Sequence, residues 1–172
     1  MFTTFYLQEE LKKELEKIFE DERFPDKDGK MINLNVFKQF LPIRDVEYTE
    51  ESQEELEKGI SDWENLDRTP FPYIIVIFPD GVQNTRNKPG KVNVILYLGI
   101  VDTDENRAGY EHLLHIIQKI CERFSENARL GNYQCGEEIL WELSEKDEHP
   151  YYFGAVVMEF KTPTIKKEDK YC

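Results

Sequence analysis

Val92-Asn93-Val94-Ile95-Leu96-Tyr97-Leu98-Gly99-Ile100-Val101 is the stretch on which the fold turns. It is rich in Ile, Val and Tyr, the residues that fit a buried strand. The run Tyr73 to Phe78 just upstream has the same texture. Between the two, Pro79 to Lys91 is polar and carries Gly81, Asn84, Asn87, Pro89 and Gly90, which predicts a hairpin with a long, mobile tip.

Working downstream, Thr103 or Asp104 is placed to cap a helix running to about Asn127. Its apolar positions Tyr110, Leu113, Leu114, Ile117, Ile120, Cys121 and Phe124 fall on one face, and Gly131 and Asn132 end it. Ile139, Trp141 and Leu143 then alternate with Glu138, Glu142 and Ser144, while Tyr151 to Phe160 is mostly apolar. With Glu148-His149-Pro150 as the turn, these two runs predict a second hairpin.

Working upstream, Leu56, Ile60, Trp63 and Leu66 recur at helical spacing behind a Ser52/Glu55 capping box, which predicts a short acidic helix. Met31 to Leu41 places Ile32, Leu34 and Val36 alternately with Asn33 and Asn35, as a strand with one wet face does. From Thr3 to about Glu22, Leu7, Leu11, Leu15, Ile18 and Phe19 make one apolar stripe of a helix, which Phe24-Pro25-Asp26-Lys27-Asp28-Gly29 terminates. The element order predicts an α+β fold: a largely antiparallel sheet with the N-terminal helix and the long central helix packed on one face. A chain of 172 residues with 40% hydrophobic residues suits one such domain, here spanning 1–165, with an acidic insertion at about 45–68 and a Lys-rich tail at 166–172.

The charge balance narrows the function. Of a net charge of −13, the segment Asp45 to Arg68 contributes −8, with ten acids against Lys58 and Arg68. A broad basic face for nucleic acid is therefore not expected. Small cationic exceptions are Arg86, Lys88 and Lys91 in the polar loop, and the four lysines from Lys161 onward. No stretch approaches the roughly 18 consecutive apolar residues of a membrane helix, and Met1 leads into a charged amphipathic segment, so a cytosolic, membrane-free chain is expected. Cys121, Cys135 and Cys172 are odd in number and contain no CxxC pair, which predicts reduced thiols.

Tests for chemistry fail together. Asp102-Thr103-Asp104-Glu105-Asn106 opens like an EF-hand loop, but Arg107 stands where the loop needs Gly and Leu113 where it needs a bidentate Glu. The plainer account is that these acids cap the following helix. His112 and His115 share a helix three residues apart without an HExxH order, and both fall off the apolar stripe, so exposed histidines are expected. No GxSxG, phosphate loop or paired Cys/His signature is present. Neither an enzyme nor a cofactor is expected. In the last hairpin, Trp141, Tyr151, Tyr152 and Phe153 cluster, with Tyr151 and Phe153 pointing opposite to Tyr152, which makes a second buried surface or an intermolecular contact plausible.

Several segments resemble the tail terminator (tail completion) proteins of tailed phages and Gram-positive prophages. They are Pro72-Tyr73-Ile74-Ile75-Val76, Val92 to Ile100, Asp102 and Asp104 with Gly109-Tyr110, Leu140-Trp141-Glu142-Leu143, Pro150-Tyr151-Tyr152-Phe153-Gly154 and Phe160 to Ile165. The resemblance covers about Phe71 to Ile165; the acidic segment at 45–68 is longer and more charged than the family pattern. It implies a non-enzymatic ring subunit, usually a hexamer, assembled in the host cytoplasm and carried in the virion neck. That ring caps the head-proximal end of the tail tube, ends tube polymerisation and meets the head-tail connector, while DNA passes through its channel without specific binding. Candidate assembly contacts are Arg86, Lys88, Lys91, Trp141, Tyr151, Tyr152 and Phe153. Two alternatives stand beside it: an acidic inhibitor or DNA mimic using the segment around Glu50 to Glu64, and a metal-dependent hydrolase using Asp102, Asp104, His112 and His115.

Overall fold

The computed structural model describes residues 4–42 and 69–164, so the expected acidic helix and the Lys-rich tail lie outside the described residues. Leu7, Leu11 and Leu15, four residues apart, are all fully buried, and helix α1 spans Thr4–Ile18 around them. Strands β1 (Phe24–Pro25) and β2 (Met31–Ile32) then form a small antiparallel ribbon, closed by Asp26, whose Oδ1 accepts the N–H groups of Asp28 and Lys30 at 2.9 Å. The single strand expected over Met31 to Leu41 is therefore two. Its first residues stay with β1, and the rest, β3 (Asn35–Lys38), runs parallel to β4 (Tyr73–Ile77). The Asn35 amide fixes this junction by donating to the carbonyls of Pro70 and Pro72, both at 3.2 Å.

After β4 come β5 (Gly81–Val82) and β6 (Gly90–Val101). Part of the expected loop is thus strand, because Gly81 and Val82 pair with Val92 and Lys91. Helix α2 spans Gly109–Glu126, followed by β7 (Arg129–Leu130), β8 (Tyr133–Cys135), β9 (Leu140–Leu143) and β10 (Tyr151–Thr162). The main sheet runs β3-β4-β6-β10-β8-β7, with β5 beside β6 and β9 beside β10. Every pair in it except β3 with β4 is antiparallel. The expected α+β fold with a largely antiparallel sheet is what the chain adopts.

Alternation along β6 and β10 sets the layers. Val92, Val94, Leu96, Leu98 and Ile100 face one side with Val156, Met158 and Phe160. On that side they meet the α1 leucines and the Leu113, Ile116, Ile117, Ile120 and Phe124 stripe of α2 in one core. Phe124 meets the edge of Phe160 at 5.6 Å between ring centres. Both helices therefore pack on the same face, as the pattern predicts.

Three details of α2 differ from expectation. Asp102 Oδ1 accepts the Asp104 N–H and Asp104 Oδ1 accepts the Asn106 N–H, both at 3.0 Å, so the expected caps close two turns ahead of the helix instead. Arg107 at φ +57° ends that turn run, and the helix starts at Gly109 without a side-chain cap. Tyr110 sits in the first turn and stays exposed, while Ile116 fills the stripe. Gly131, at φ +58°, and Asn132 form the two-residue link between β7 and β8, because the helix has already ended at Glu126.

Gly109 lies directly against the Tyr152 ring, and a β-carbon there would collide with it. In a solvated helix Gly→Ala gains about 1 kcal/mol. Here Gly109→Ala is expected to cost about 1 to 3 kcal/mol through overpacking. Thermal melting checks this, and in a Tyr152→Leu background the same substitution should no longer destabilise.

Candidate surface for assembly

The sheet face opposite the helices carries a second, smaller cluster. Phe71 lies 5.2 Å from both Tyr73 and Tyr151 and 6.0 Å from Phe153, ring centre to ring centre, and Val101 and Ile75 complete the packing. Tyr151 and Phe153 are therefore half-buried against the chain's own Phe71. Tyr152 turns to the helix side as expected, where its hydroxyl lies 2.9 Å from His149 Nδ1. Phe71 lies outside the aromatic group that the sequence singles out. Its proximity to Pro72 and Tyr73 is visible there, but nothing in the chain order places it beside Tyr151.

From this cluster the face continues as cross-strand rows. Ile77 of β4, Ile95 of β6, Val157 of β10 and Leu140 of β9 stand in register across four strands. The next row is Ile75, Tyr97, Ala155 and Glu142. Along the first of these rows exposure grows toward β9, which pairs with β10 alone among the described residues: Val157 is 38% exposed and Leu140 61%, and Trp141 beside Leu140 is 52% exposed. Trp141 is opposite Val156 and so lies on the helix side, beyond the cover that the helices provide. Leu140, Tyr97 and Val157 join it as exposed apolar residues of this region that the sequence pattern passes over.

The cationic candidates sit elsewhere. Lys91 is opposite Lys161, ten residues along β10 from Tyr151, so the basic loop and the aromatic end are about 30 Å apart along the strands. The structure does not join the two groups in one site. Lys91 is tied to Glu159 at 3.3 Å, whereas Arg86 and Lys88 are exposed and form no ion pair among the described residues. The loop that carries them is held by the Asn84 amide, which donates to the Pro89 carbonyl at 2.7 Å.

Of the metal-binding candidates, the structure brings together His112 and Asp102 but not Asp104 or His115. His112 is half-buried instead of exposed, its Nε2 3.2 Å from Asp102 Oδ2 and its ring edge-on to Phe24 at 5.9 Å. His115 is exposed and turns to Glu22, at 2.9 Å. Asp104 is engaged in its own turn. Among the described residues no three His, Cys, Asp or Glu side chains stand where one ion could bind them. Burial and the neighbouring Cys121 push the Cys135 thiol up to about 11, and burial raises Cys121 as well, so both are poor nucleophiles at neutral pH. A cleft of about 280 Å³ between Arg107, Tyr110, Asp147, His149 and Tyr152 is bridged by the Arg107–Asp147 ion pair, which holds the Asp147 carboxyl below its usual range. No described helix is long and apolar enough to cross a membrane. The acidic segment on which an inhibitor reading depends lies outside the described residues. No family model matches the chain, and no curated protein matches it.

Two measurements separate packing from surface. Phe71→Ala should cost about 3 to 5 kcal/mol by denaturant melting, whereas Leu140→Ser and Trp141→Ser should each stay within about 0.5 kcal/mol of the unchanged chain. Burial pushes the Tyr73 hydroxyl up to about 12 from 10.0. The folded state holds this proton more tightly, so its contribution is fully present below pH 10 and is lost as pH rises to 12. Over that window the chain should lose roughly 2 to 3 kcal/mol more than a Tyr73→Phe variant does.

Proposed function

We propose that the chain is a structural ring subunit that caps the head-proximal end of a phage tail tube, ends its polymerisation and offers a surface to the head-tail connector. The observation that carries this reading is the apolar row that runs off the sheet at β9, where Leu140 is exposed on one face and Trp141 on the other of a strand whose outer edge is unpaired among the described residues. Exposed apolar patches and unpaired strand edges are the material of protein contacts, and a monomer that stayed alone would be expected to blunt them. The segments that carry the tail-terminator resemblance support it further. They occupy β4, β6, the start of α2, β9 and β10, which are the frame of the sheet and not scattered surface positions. The ring is hexameric by that resemblance, with the tube protein and the connector as its partners.

A net-negative subunit suits a passage for DNA, since like charge keeps the duplex from sticking. No cofactor takes part, and no bond is made or broken; the work is the ending of one polymer and the docking of another. The subunit is made in the host cytoplasm and remains in the tail neck. Removing the protein from an assembling phage should give overlong tails or tails that never join heads, scored by negative-stain microscopy. Tails of normal length attached to heads in its absence would contradict the proposal.

A further inference from the structure

The surface at β9 has a counterpart at the other side of the same sheet. β9 lies beside β10 on the side away from β6, and β5 lies beside β6 on the side away from β10. Around β9 the exposed groups are Glu137, Glu138, Leu140, Trp141 and Glu142, acidic about an apolar centre. Around β5 they are Val82, 59% exposed, with Asp80 before it, whose carboxylate accepts from the Asn93 amide, and Arg86 and Lys88 on the loop that follows, net basic about an apolar centre. The two strands also sit at different levels, β9 opposite residues 154–157 of β10 and β5 opposite 91–92 of β6.

We infer that the β9 edge of one copy docks on the β5 flank of the next copy of this chain. Two surfaces on opposite edges of one rigid sheet cannot meet within a molecule, so their complementarity can be satisfied only between molecules. The contact is then heterologous, head to tail, and such contacts close into rings when the rotation per subunit allows it. Leu140 and Val82 supply the apolar centre, and the flanking charges set the direction and exclude the symmetric alternative, in which acidic edge would face acidic edge. Both strands have a free backbone edge among the described residues, so the sheets can join by strand addition. The inference rests on the ring reading above and specifies which surfaces of the ring subunit meet.

The test uses the full chain at high concentration and low salt, with self-association followed by sedimentation. Glu138→Lys with Glu142→Lys, and separately Arg86→Glu with Lys88→Glu, should each weaken association by roughly tenfold or more. Mixing the two variants should restore it, since each reversed edge then meets a reversed flank. The association of the unchanged chain should also fall several-fold between low and high salt, a readout that needs no folded variant. Variants that associate as well as the unchanged chain, or association indifferent to salt, would overturn the assignment of surfaces. If such variants still form rings on tails, the ring reading stands and only the assignment of surfaces is lost. A chain that neither self-associates nor forms rings overturns both.

Discussion

Everything else in the molecule hangs on the pairing of β6 with β10, two strands of twelve residues joined in antiparallel register from end to end. Because side chains alternate along a strand, this one ladder decides which residues face α1 and α2 and which face the other way. A slip of one residue would turn Val94, Leu96 and Leu98 away from the helices and bring Asn93, Ile95 and Tyr97 in. The shorter strands take their level from the pair, with β4 and β5 along the outer side of β6 and β8 and β9 along the outer side of β10.

That arrangement leaves one face closed and the other divided. The helix side is filled by a single core from Leu7 to Phe160. On the reverse side, Phe71 gathers Tyr73, Tyr151 and Phe153 into a small aromatic cluster at one end. Beyond it the apolar rows run out toward β9 with diminishing cover. The same constraint that builds the core therefore brings an apolar row to a strand edge that is unpaired among the described residues, and the proposed assembly role rests on that edge more than on any chemical group. The nearest approach to a reactive arrangement, His112 beside Asp102, serves the packing of α2 against the β1–β2 ribbon through Phe24.

Period-two and helical patterns alone make much of the architecture legible: both long strands, both described helices, the closing hairpin and the opposite orientation of Tyr151 and Tyr152. The features that stay hidden in the sequence depend on tertiary contact. The division of Met31 to Leu41 follows from parallel pairing with β4, a partner more than thirty residues away. The start of α2 follows from a turn run ending at Arg107 and from the Tyr152 ring above Gly109, neither of which a capping preference can show. In the candidate surface, Trp141 is recognisable as an aromatic in an alternating strand, but that alternation assigns Leu140 to no core. The importance of Leu140 lies in the register that aligns it with Val157, Ile95 and Ile77. Tyr151 and Phe153 look available for a partner in the sequence because Phe71, distant along the chain, cannot be placed against them there.

Joining copies of itself at the end of a tube is the role proposed for this chain. Electron microscopy of tails that contain the protein, with the chain labelled at its C-terminus, tests that role most directly. A single ring of label at the head-proximal end is the predicted result. Label spread along the tube, or absent from tails that are correctly terminated and joined to heads, would contradict it.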